Sequence, residues 1–92
     1  MLLEVVSAKY CKDYQVDVEF NNGCKYLIDL KDHIFNDHRK IFYPLRDTNF
    51  FKNFSLKYNT LCWKNEADFA PEFLLSVAQK ARNEGNGANF EL

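Results

Sequence analysis

The chain has 92 residues, of which 47% are hydrophobic and 16% aromatic. That length suffices for one domain with one core, and so high an apolar content excludes a disordered segment. Lysine and arginine total 12 against 13 acidic residues, for a net charge of -1. Long-range attraction to nucleic acid or to an anionic membrane is therefore not a property of the whole molecule.

The N-terminal segment and the cysteines bear on the compartment. Residues 1–6 are partly apolar, but they lack a basic n-region and contain Glu4, so they do not predict a secretory signal. No stretch is long enough to span a membrane. The three cysteines are isolated and none has CxxC spacing, which argues against a disulfide framework and a zinc knuckle. We expect a cytoplasmic protein that folds without a metal or another cofactor.

The first two thirds of the chain predict strands. A strand is expected over residues 3–9, followed by a polar turn over residues 11–13. Residues 14–20 then alternate between apolar and polar, which is typical of a strand with one buried and one solvated face. The turn residues 21–23, Asn-Asn-Gly, lead to a partner strand over residues 24–30.

The register of this hairpin can be predicted from the sorting of its faces. A two-residue loop would set Phe20 opposite Lys25 and place a charge on the apolar face. A three-residue loop closed by a bulge instead pairs Val18 with Tyr26. It also sets Glu19 opposite Lys25, a favourable pair on the solvent side, so we expect this second register.

The middle of the chain predicts short helical turns. Asp32 is expected to cap a turn over residues 33–35, and Asp47 is expected to cap a short helix that packs its phenylalanines inward. Pro44 disfavours helical backbone at the residue before it, so Tyr43 is expected to be extended.

The last third predicts a second hairpin and a helix. Residues 54–58 and 61–63 alternate in character and are expected to pair across an Asn59-Thr60 loop. Pro71 suits the first position of a helix that runs to Arg82, because its missing N–H is not needed there. Glu72 then lies in the first turn, where negative charge is favoured.

These elements predict one α+β domain over residues 1–83. Its sheet is small and rich in antiparallel hairpins, its helices are short, and the C-terminal helix packs on one face of the sheet. The apolar stripe of that helix consists of Phe73, Leu74, Val77, Ala78 and Ala81. Residues 84–92 carry no periodicity and predict a flexible tail.

Several short motifs together resemble one known family. In chain order they are Asp29-Leu30 at a strand end, Pro44-Leu45-Arg46-Asp47, Phe51, Trp63 followed by an Asn, Ala67-Asp68 and Pro71-Glu72. They are similar to the small bacterial family called domain of unknown function 2442, and the run from Trp63 to Glu72 is the most specific part. The resemblance implies an α+β fold with a mixed or antiparallel sheet and short helices.

The resemblance implies little chemistry, because the family has no established activity. It implies a bacterial, cytosolic accessory protein, in some members encoded beside another small protein in an arrangement that looks like a toxin and antitoxin pair. Other members are fused to a helix-turn-helix domain. The chain departs from the family pattern at Glu66, where a Gly is usual, and at Ala70, where an Asp usually precedes the Pro. Loss of that Asp removes a helix cap worth ~1 kcal/mol.

One candidate site is an edge where strand ends and helix starts meet. Its residues are Asp29, Arg46, Asp47, Trp63 and Asp68, which would form a polar pocket if they converge. The structural alternative is that Asp47 and Asp68 cap backbone N–H groups and that Arg46 pairs with one of them. Trp63 would then belong to the core. We favour the structural alternative.

A second candidate is a short basic run that would grip a phosphate backbone beside Tyr43, formed by His38, Arg39 and Lys40. His33 and Asp37, together with His38, form the one cluster with metal-ligand chemistry, but a site would need a third ligand from elsewhere. A solvated loop is the favoured interpretation of that cluster. Cys62 has no base near it in sequence, so we do not expect catalysis by a thiol.

Three function classes stay open. The first is a non-catalytic module that binds another small protein, or a second copy of itself, through the outer sheet face or an edge strand over residues 3–9. The second is a regulator that binds nucleic acid through the basic run. The third is an enzyme or small-ligand binder built on Asp29, Arg46, Asp47 and Asp68. We expect the first class, with no catalytic activity and no membrane partner.

Overall fold

In the described part of the chain, three antiparallel strands in the order β1-β2-β3 form the larger of two sheets. The computed structural model describes residues 2–89, with the side chains of residues 2–80. Strand β1 spans Val5–Lys12, β2 spans Gln15–Phe20 and β3 spans Lys25–Asp29. A separate antiparallel hairpin consists of β4 (Ser55–Lys57) and β5 (Thr60–Cys62).

Helical segments connect the two sheets and close the chain. Helix α1 (Lys31–Asn36), a 3₁₀ helix (Lys40–Arg46) and α2 (Thr48–Phe51) lie between β3 and β4 in sequence, and α3 (Pro71–Asn89) follows β5. This is the α+β class predicted from the sequence. No helix in residues 2–89 has the length and apolar character needed to cross a membrane.

Helix α3 starts at Pro71, as predicted, and it contacts β3. Its buried side chains include Leu74, Val77 and Ala78 from the predicted stripe. The helix continues to Asn89 rather than ending at Arg82, so the glycines of this stretch do not end it. The side chain of Ala81 lies outside the described part of the chain. Residues 84–89 of the predicted tail belong to this helix, and residues 90–92 lie outside the described part of the chain. The flexibility of residues 84–92 stays a prediction.

The β2–β3 hairpin adopts the register predicted from its faces. Val18 pairs with Tyr26, and Glu19 pairs with Lys25. Gly23 has a φ of +88°, a left-handed conformation that glycine adopts without steric cost. The apolar side chains of β2 therefore face the core, while its acidic side chains face the other side of the sheet.

The first turn comes later than predicted. Strand β1 continues to Lys12, and the turn to β2 is Asp13-Tyr14 rather than residues 11–13. Tyr10 pairs with Val16 of β2 and Lys12 pairs with Gln15. The residue between them on β1 is therefore an extra one, accommodated by an irregularity in the strand pairing. Asp13 then takes a left-handed conformation with a φ of 49°, which short polar side chains tolerate.

The second hairpin turns at Tyr58-Asn59, one residue earlier than predicted. Both residues have positive φ, 55° and 64°, as a two-residue turn that matches the strand twist requires. Thr60 therefore belongs to β5, where it pairs with Lys57 and is buried. Its hydroxyl donates a hydrogen bond to the carbonyl of Phe69, which satisfies the polar group inside the core.

Two predictions for the middle of the chain are wrong. The side chain that receives the first N–H of α1 is that of Asp29, at 2.9 Å from the Lys31 nitrogen, whereas Asp32 lies within the first turn. Tyr43 is not extended, because Pro44 lies inside the 3₁₀ helix rather than ending a helical segment. The restriction that proline places on the preceding residue is a preference, and the local fold overrides it here.

Pro44 leaves one carbonyl of the 3₁₀ helix without its usual donor. In such a helix each N–H bonds to the carbonyl three residues earlier, so the missing N–H of Pro44 would have paired with Ile41. The side-chain amide of Asn65 donates to the Ile41 carbonyl instead, at 2.7 Å. The same side chain accepts the Ala67 N–H at 3.2 Å. Asn65 therefore ties the 3₁₀ helix to the turn after β5.

Glu66 occupies a backbone conformation that suits glycine. Its φ is +71° and its side chain is exposed. A left-handed conformation costs a non-glycine residue on the order of 1 kcal/mol.

We predict that Glu66→Gly raises the free energy of unfolding, measured by urea denaturation. Relief of the backbone strain contributes about 1 kcal/mol, and the greater freedom of glycine in the unfolded chain reduces this gain by a few tenths of a kcal/mol. Lys64→Gly, at a neighbouring exposed position without positive φ, should lower it, and equal losses in both variants would contradict the prediction.

Candidate functional site

Two residues of the predicted polar edge accept hydrogen bonds from backbone N–H groups. Asp29 accepts a hydrogen bond from the N–H of Lys31, and Asp47 accepts one from the N–H of Asn49 at 2.9 Å. Asp47 thereby caps α2, as predicted. Asp47 also borders a small cavity of about 290 Å³ that neither Asp29 nor Asp68 lines. The predicted edge therefore does not form one pocket.

Trp63 belongs to the core. It is 2% exposed, and its indole N–H donates to the carbonyl of Phe51 at 2.8 Å. The ring lies 5.7 Å from Phe51, 6.1 Å from Phe54 and 5.8 Å from Phe69, measured between centroids. A ring enclosed in this way contributes buried area to the fold and is not accessible for stacking on a ligand. The structural interpretation of Trp63 is confirmed.

Arg46 contacts carbonyl groups and aromatic rings. Its Nη2 donates to the carbonyl of Phe35 at 3.3 Å and to that of Asp37 at 3.4 Å, both long hydrogen bonds. Its guanidinium carbon lies 4.5 Å from the centroid of Tyr43 and 5.4 Å from that of Phe35. These distances are those of cation–π contacts with both rings.

We call the surface cluster of Phe35, Tyr43 and Arg46 the aromatic platform. Phe35 is 41% exposed and Tyr43 is 44% exposed. Tyr14 supports the platform, because its hydroxyl donates to the Arg46 carbonyl and its ring packs edge-to-face on Phe35 at 5.4 Å. The sequence did not indicate this cluster, since Arg46 was expected to pair with an aspartate.

The ion pair formed within residues 2–80 joins Arg39 to Asp37, so the pair predicted for Arg46 with Asp47 or Asp68 is not formed. The Arg39 side chain donates to the Asp37 carboxylate at distances of 2.7 to 3.2 Å, and its backbone N–H donates at 3.0 Å. The guanidinium also lies 4.6 Å from the centroid of Phe42. Within the basic run of residues 38–40, the charge of Arg39 is thus compensated by a neighbour.

A surface cleft of about 690 Å³ lies between the α1 region and residues 66–73. A row of rings lines it. Phe42 stacks on Phe69 with centroids 5.2 Å apart, and Phe69 stacks on Phe73 at 5.5 Å. His33 meets Phe73 edge-on at 5.1 Å, at the end of the row. The cleft therefore has an aromatic wall that is part of the folded core.

The charges around the cleft are mainly negative. Its lining contains one arginine and no lysine, against four carboxylates: Asp32, Asp37, Glu66 and Asp68. With the histidines counted as neutral, four negative charges and one positive charge leave three in excess. Asp37 is the carboxylate paired with Arg39, and the other three make no ion pair with any side chain of residues 2–80.

The predicted metal-ligand residues His33, Asp37 and His38 all line this cleft. In the part of the chain that the structure describes, no group of three or more His, Cys, Asp or Glu side chains is placed to hold a metal ion. Asp37 is instead bound to Arg39. The chemistry of the cleft is therefore that of carboxylates beside aromatic rings.

The outer sheet face does not present an apolar patch. Lys9 lies opposite Asp17, and Glu19 lies opposite Lys25, so opposite charges alternate across the strands. Leu27 is exposed among them. The edge of β1 is also partly covered, because the N–H of Val5 donates to the Asn59 carbonyl at 2.8 Å. The paired charges give the outer face a mixed character, and β1 carries one exposed large apolar side chain, Val6.

The pKa of Asp37 is lowered from 3.8 to about 2, chiefly by the Arg39 side chain and then by its backbone N–H. Because the folded pKa lies below the unfolded one, the ion pair stabilises the fold above pH 3.8, and this stabilisation is lost as the pH falls towards 2.

We predict that Arg39→Ala raises the titration midpoint of the Asp37 carboxyl carbon, measured by NMR, whereas Lys40→Ala leaves it near 2. A wild-type midpoint close to 4 would show that the pair does not form in solution.

Comparison with known proteins places the chain in a family without adding a function. Searches of curated proteins and of solved structures found no match. A family model described as protein of unknown function (DUF2442) matches residues 5–79, which include both sheets, the aromatic platform and the cleft. The chain therefore belongs to the DUF2442 family.

Proposed function

We propose that this protein is a non-catalytic interaction module that binds another protein, with the aromatic platform as its docking surface. The observation that carries the proposal is the pair of exposed rings, Phe35 and Tyr43, held around the guanidinium of Arg46. Aromatic residues and arginine are enriched at protein interfaces, and a few such side chains contribute most of the binding energy.

The support beneath the platform favours the same proposal. The Tyr14 hydroxyl donates a hydrogen bond to the Arg46 carbonyl, and its ring packs on Phe35. The Arg46 guanidinium donates hydrogen bonds to two backbone carbonyls. Ordering a free side chain at an interface costs about 0.5–1.5 kcal/mol. A cluster that is already ordered by its own contacts loses less on binding.

The nature of the partner is the finer part of the proposal. We propose that it is another small protein, and that the chain acts as the bacterial, cytoplasmic accessory member of an arrangement that resembles a toxin and antitoxin pair. This part rests on the family resemblance. A second copy of the chain is the other occupant that the platform would fit.

The other two function classes have less support. A nucleic-acid interface at residues 38–40 would need an uncompensated Arg39, but this residue is bound to Asp37 beside a cleft with excess negative charge. A catalytic pocket built on Asp29, Arg46, Asp47 and Asp68 would need those groups to converge. Asp47 and Asp68 line different cavities, and Asp29 and Arg46 line neither.

Affinity purification of the tagged protein from its own cells, followed by native mass spectrometry, tests the docking surface. We expect a stoichiometric protein partner with the wild type and with Leu56→Ser, a control at 42% exposure on β4. Tyr43→Ser should lose it, because removal of an interface hot spot costs about 2 kcal/mol, or roughly thirtyfold in Kd.

The Kd of the purified partner for each variant then gives the magnitude by calorimetry. If Tyr43→Ser and Leu56→Ser bind the partner with equal affinity, the aromatic platform is not part of the interface. Nucleic acid that co-purifies and is released by salt would replace the proposal with the regulator class. A homodimer that Tyr43→Ser dissociates would make a second copy of the chain the occupant of the platform.

A further inference from the structure

We infer that the edge of β3 that faces away from β2 pairs with the same edge of a second copy of this chain. The pairing is antiparallel and two-fold symmetric, and it joins two three-stranded sheets into one. This edge shares no residue with the aromatic platform, so the inference does not rest on the proposed function. Three features carry it: the open backbone groups of the edge, the regularity of the strand and the charges at its two ends.

The hairpin with β2 determines which backbone groups of β3 point outward. The N–H of Leu30 donates to the Tyr14 carbonyl at 3.0 Å, and the N–H of Phe20 donates to the Cys24 carbonyl at 2.9 Å. Hydrogen-bonded positions alternate along an antiparallel pair of strands. The even-numbered residues of β3 therefore bond to β2, whereas the N–H and carbonyl groups of its odd-numbered residues point away from it.

The outward-pointing residues are Lys25, Leu27 and Asp29. Among the described residues, β3 has no strand on this side, and no other backbone group bonds to the outward N–H and carbonyl groups. All three side chains are exposed, that of Leu27 at 52%. Helix α3 contacts β3 from the core side, where Ile28 is buried. Because backbone polar groups without a protein partner need contact with water, this edge is open to solvent.

The β3 edge lacks the features that protect the opposite edge of the sheet. Bulges, prolines and covering segments are the usual protection of an edge strand. Strand β1 has two irregularities in its pairing, and its Val5 N–H is bonded to Asn59. Strand β3 pairs with β2 over five consecutive residues without a shift and contains no proline. Its remaining protection is the charge of Lys25 and Asp29, which opposes pairing with a strand whose charges do not match.

Those two charges select one register for self-pairing. With the antiparallel pair centred on Leu27, Lys25 of each copy lies opposite Asp29 of the other copy. A centre at Lys25 or at Asp29 would instead set like charges opposite each other, which is unfavourable. The register centred on Leu27 also pairs all three outward-pointing residues. Each such pair exchanges two hydrogen bonds, so three pairs give six backbone hydrogen bonds.

The side chains around the edge fit this register. Glu19 lies opposite Lys25 within the chain, so Lys25 would stand between two carboxylates. Asp29 uses one carboxylate oxygen to accept the Lys31 N–H, and the other oxygen is left for the second copy. The two Leu27 side chains meet at the centre and cover each other's exposed apolar surface. The net charge of -1 per chain produces little long-range repulsion between two copies.

Sedimentation equilibrium of the full chain, from about 1 µM to about 1 mM, tests the inference. We expect the wild type to dimerise within this range. Lys25→Asp and Asp29→Lys should each weaken the dimer roughly tenfold or more, because each sets two like-charged pairs across the interface. Lys9→Asp is the matched control, because Lys9 also faces a carboxylate across the sheet but lies on β1. It should dimerise as the wild type does.

An equimolar mixture of Lys25→Asp and Asp29→Lys should recover the dimer. In the mixed dimer the two aspartates of one chain lie opposite the two lysines of the other, and circular dichroism checks that each variant is folded. Amide exchange of the wild type, measured by NMR at low and high concentration, needs no variant. The Leu27 N–H should exchange more slowly at high concentration, whereas that of Ile28, already bonded to β2, should change less.

A wild type that stays monomeric over the whole range would overturn the inference and leave the edge to a strand of another protein. Equal dimerisation of Lys25→Asp and Lys9→Asp, or a mixture of folded variants that stays monomeric, would also overturn it. If Asp29→Lys does not fold, the comparison of Lys25→Asp with Lys9→Asp decides. A dimer that Tyr43→Ser dissociates and Lys25→Asp leaves intact would place the second copy on the platform, so the two proposals fail separately.

Discussion

The side chain of Asn65 holds together the two segments on which the candidate site is built. Its amide donates to the Ile41 carbonyl at 2.7 Å and its oxygen accepts the Ala67 N–H at 3.2 Å. The first bond replaces the one that Pro44 cannot make within the 3₁₀ helix. The second bond shapes the turn after β5. One residue therefore compensates for the proline and fixes its own segment against the helix that contains it.

The position of this bond connects the fold to the proposed binding surface. The 3₁₀ helix carries Tyr43 and Arg46 of the aromatic platform, and the segment that follows Asn65 carries Glu66 and Asp68 of the cleft. Stacking of the Phe42 ring on the Phe69 ring joins the same two segments inside the molecule. Platform and cleft are thus parts of one preorganised surface, which lowers the cost of ordering it on binding.

The sequence predicted best the features that depend on neighbours along the chain. The β2–β3 register, the cap at Asp47 and the helix start at Pro71 follow from alternation, side-chain chemistry and proline geometry, and all three are observed. The resemblance implied a Gly at position 66, and Glu66 has a left-handed backbone there. Tyr43 was predicted wrongly because the backbone around it depends on a distant donor, the side chain of Asn65, which bonds to the carbonyl of Ile41 24 residues earlier in the chain. The platform was missed because Arg46 contacts rings rather than a carboxylate, and only the folded chain brings those rings to it.

The most direct measurement is native-state hydrogen exchange of the wild type and Asn65→Ala, read by mass spectrometry. We expect faster exchange in peptides that contain the N–H groups of Phe42 and Glu66, which bond to the carbonyls of Arg39 and Trp63. Peptides from β1, β2 and β3 should exchange as in the wild type. Unchanged exchange at Phe42 and Glu66, or acceleration spread evenly over the sheet, would contradict the claim that Asn65 holds these two segments as one surface.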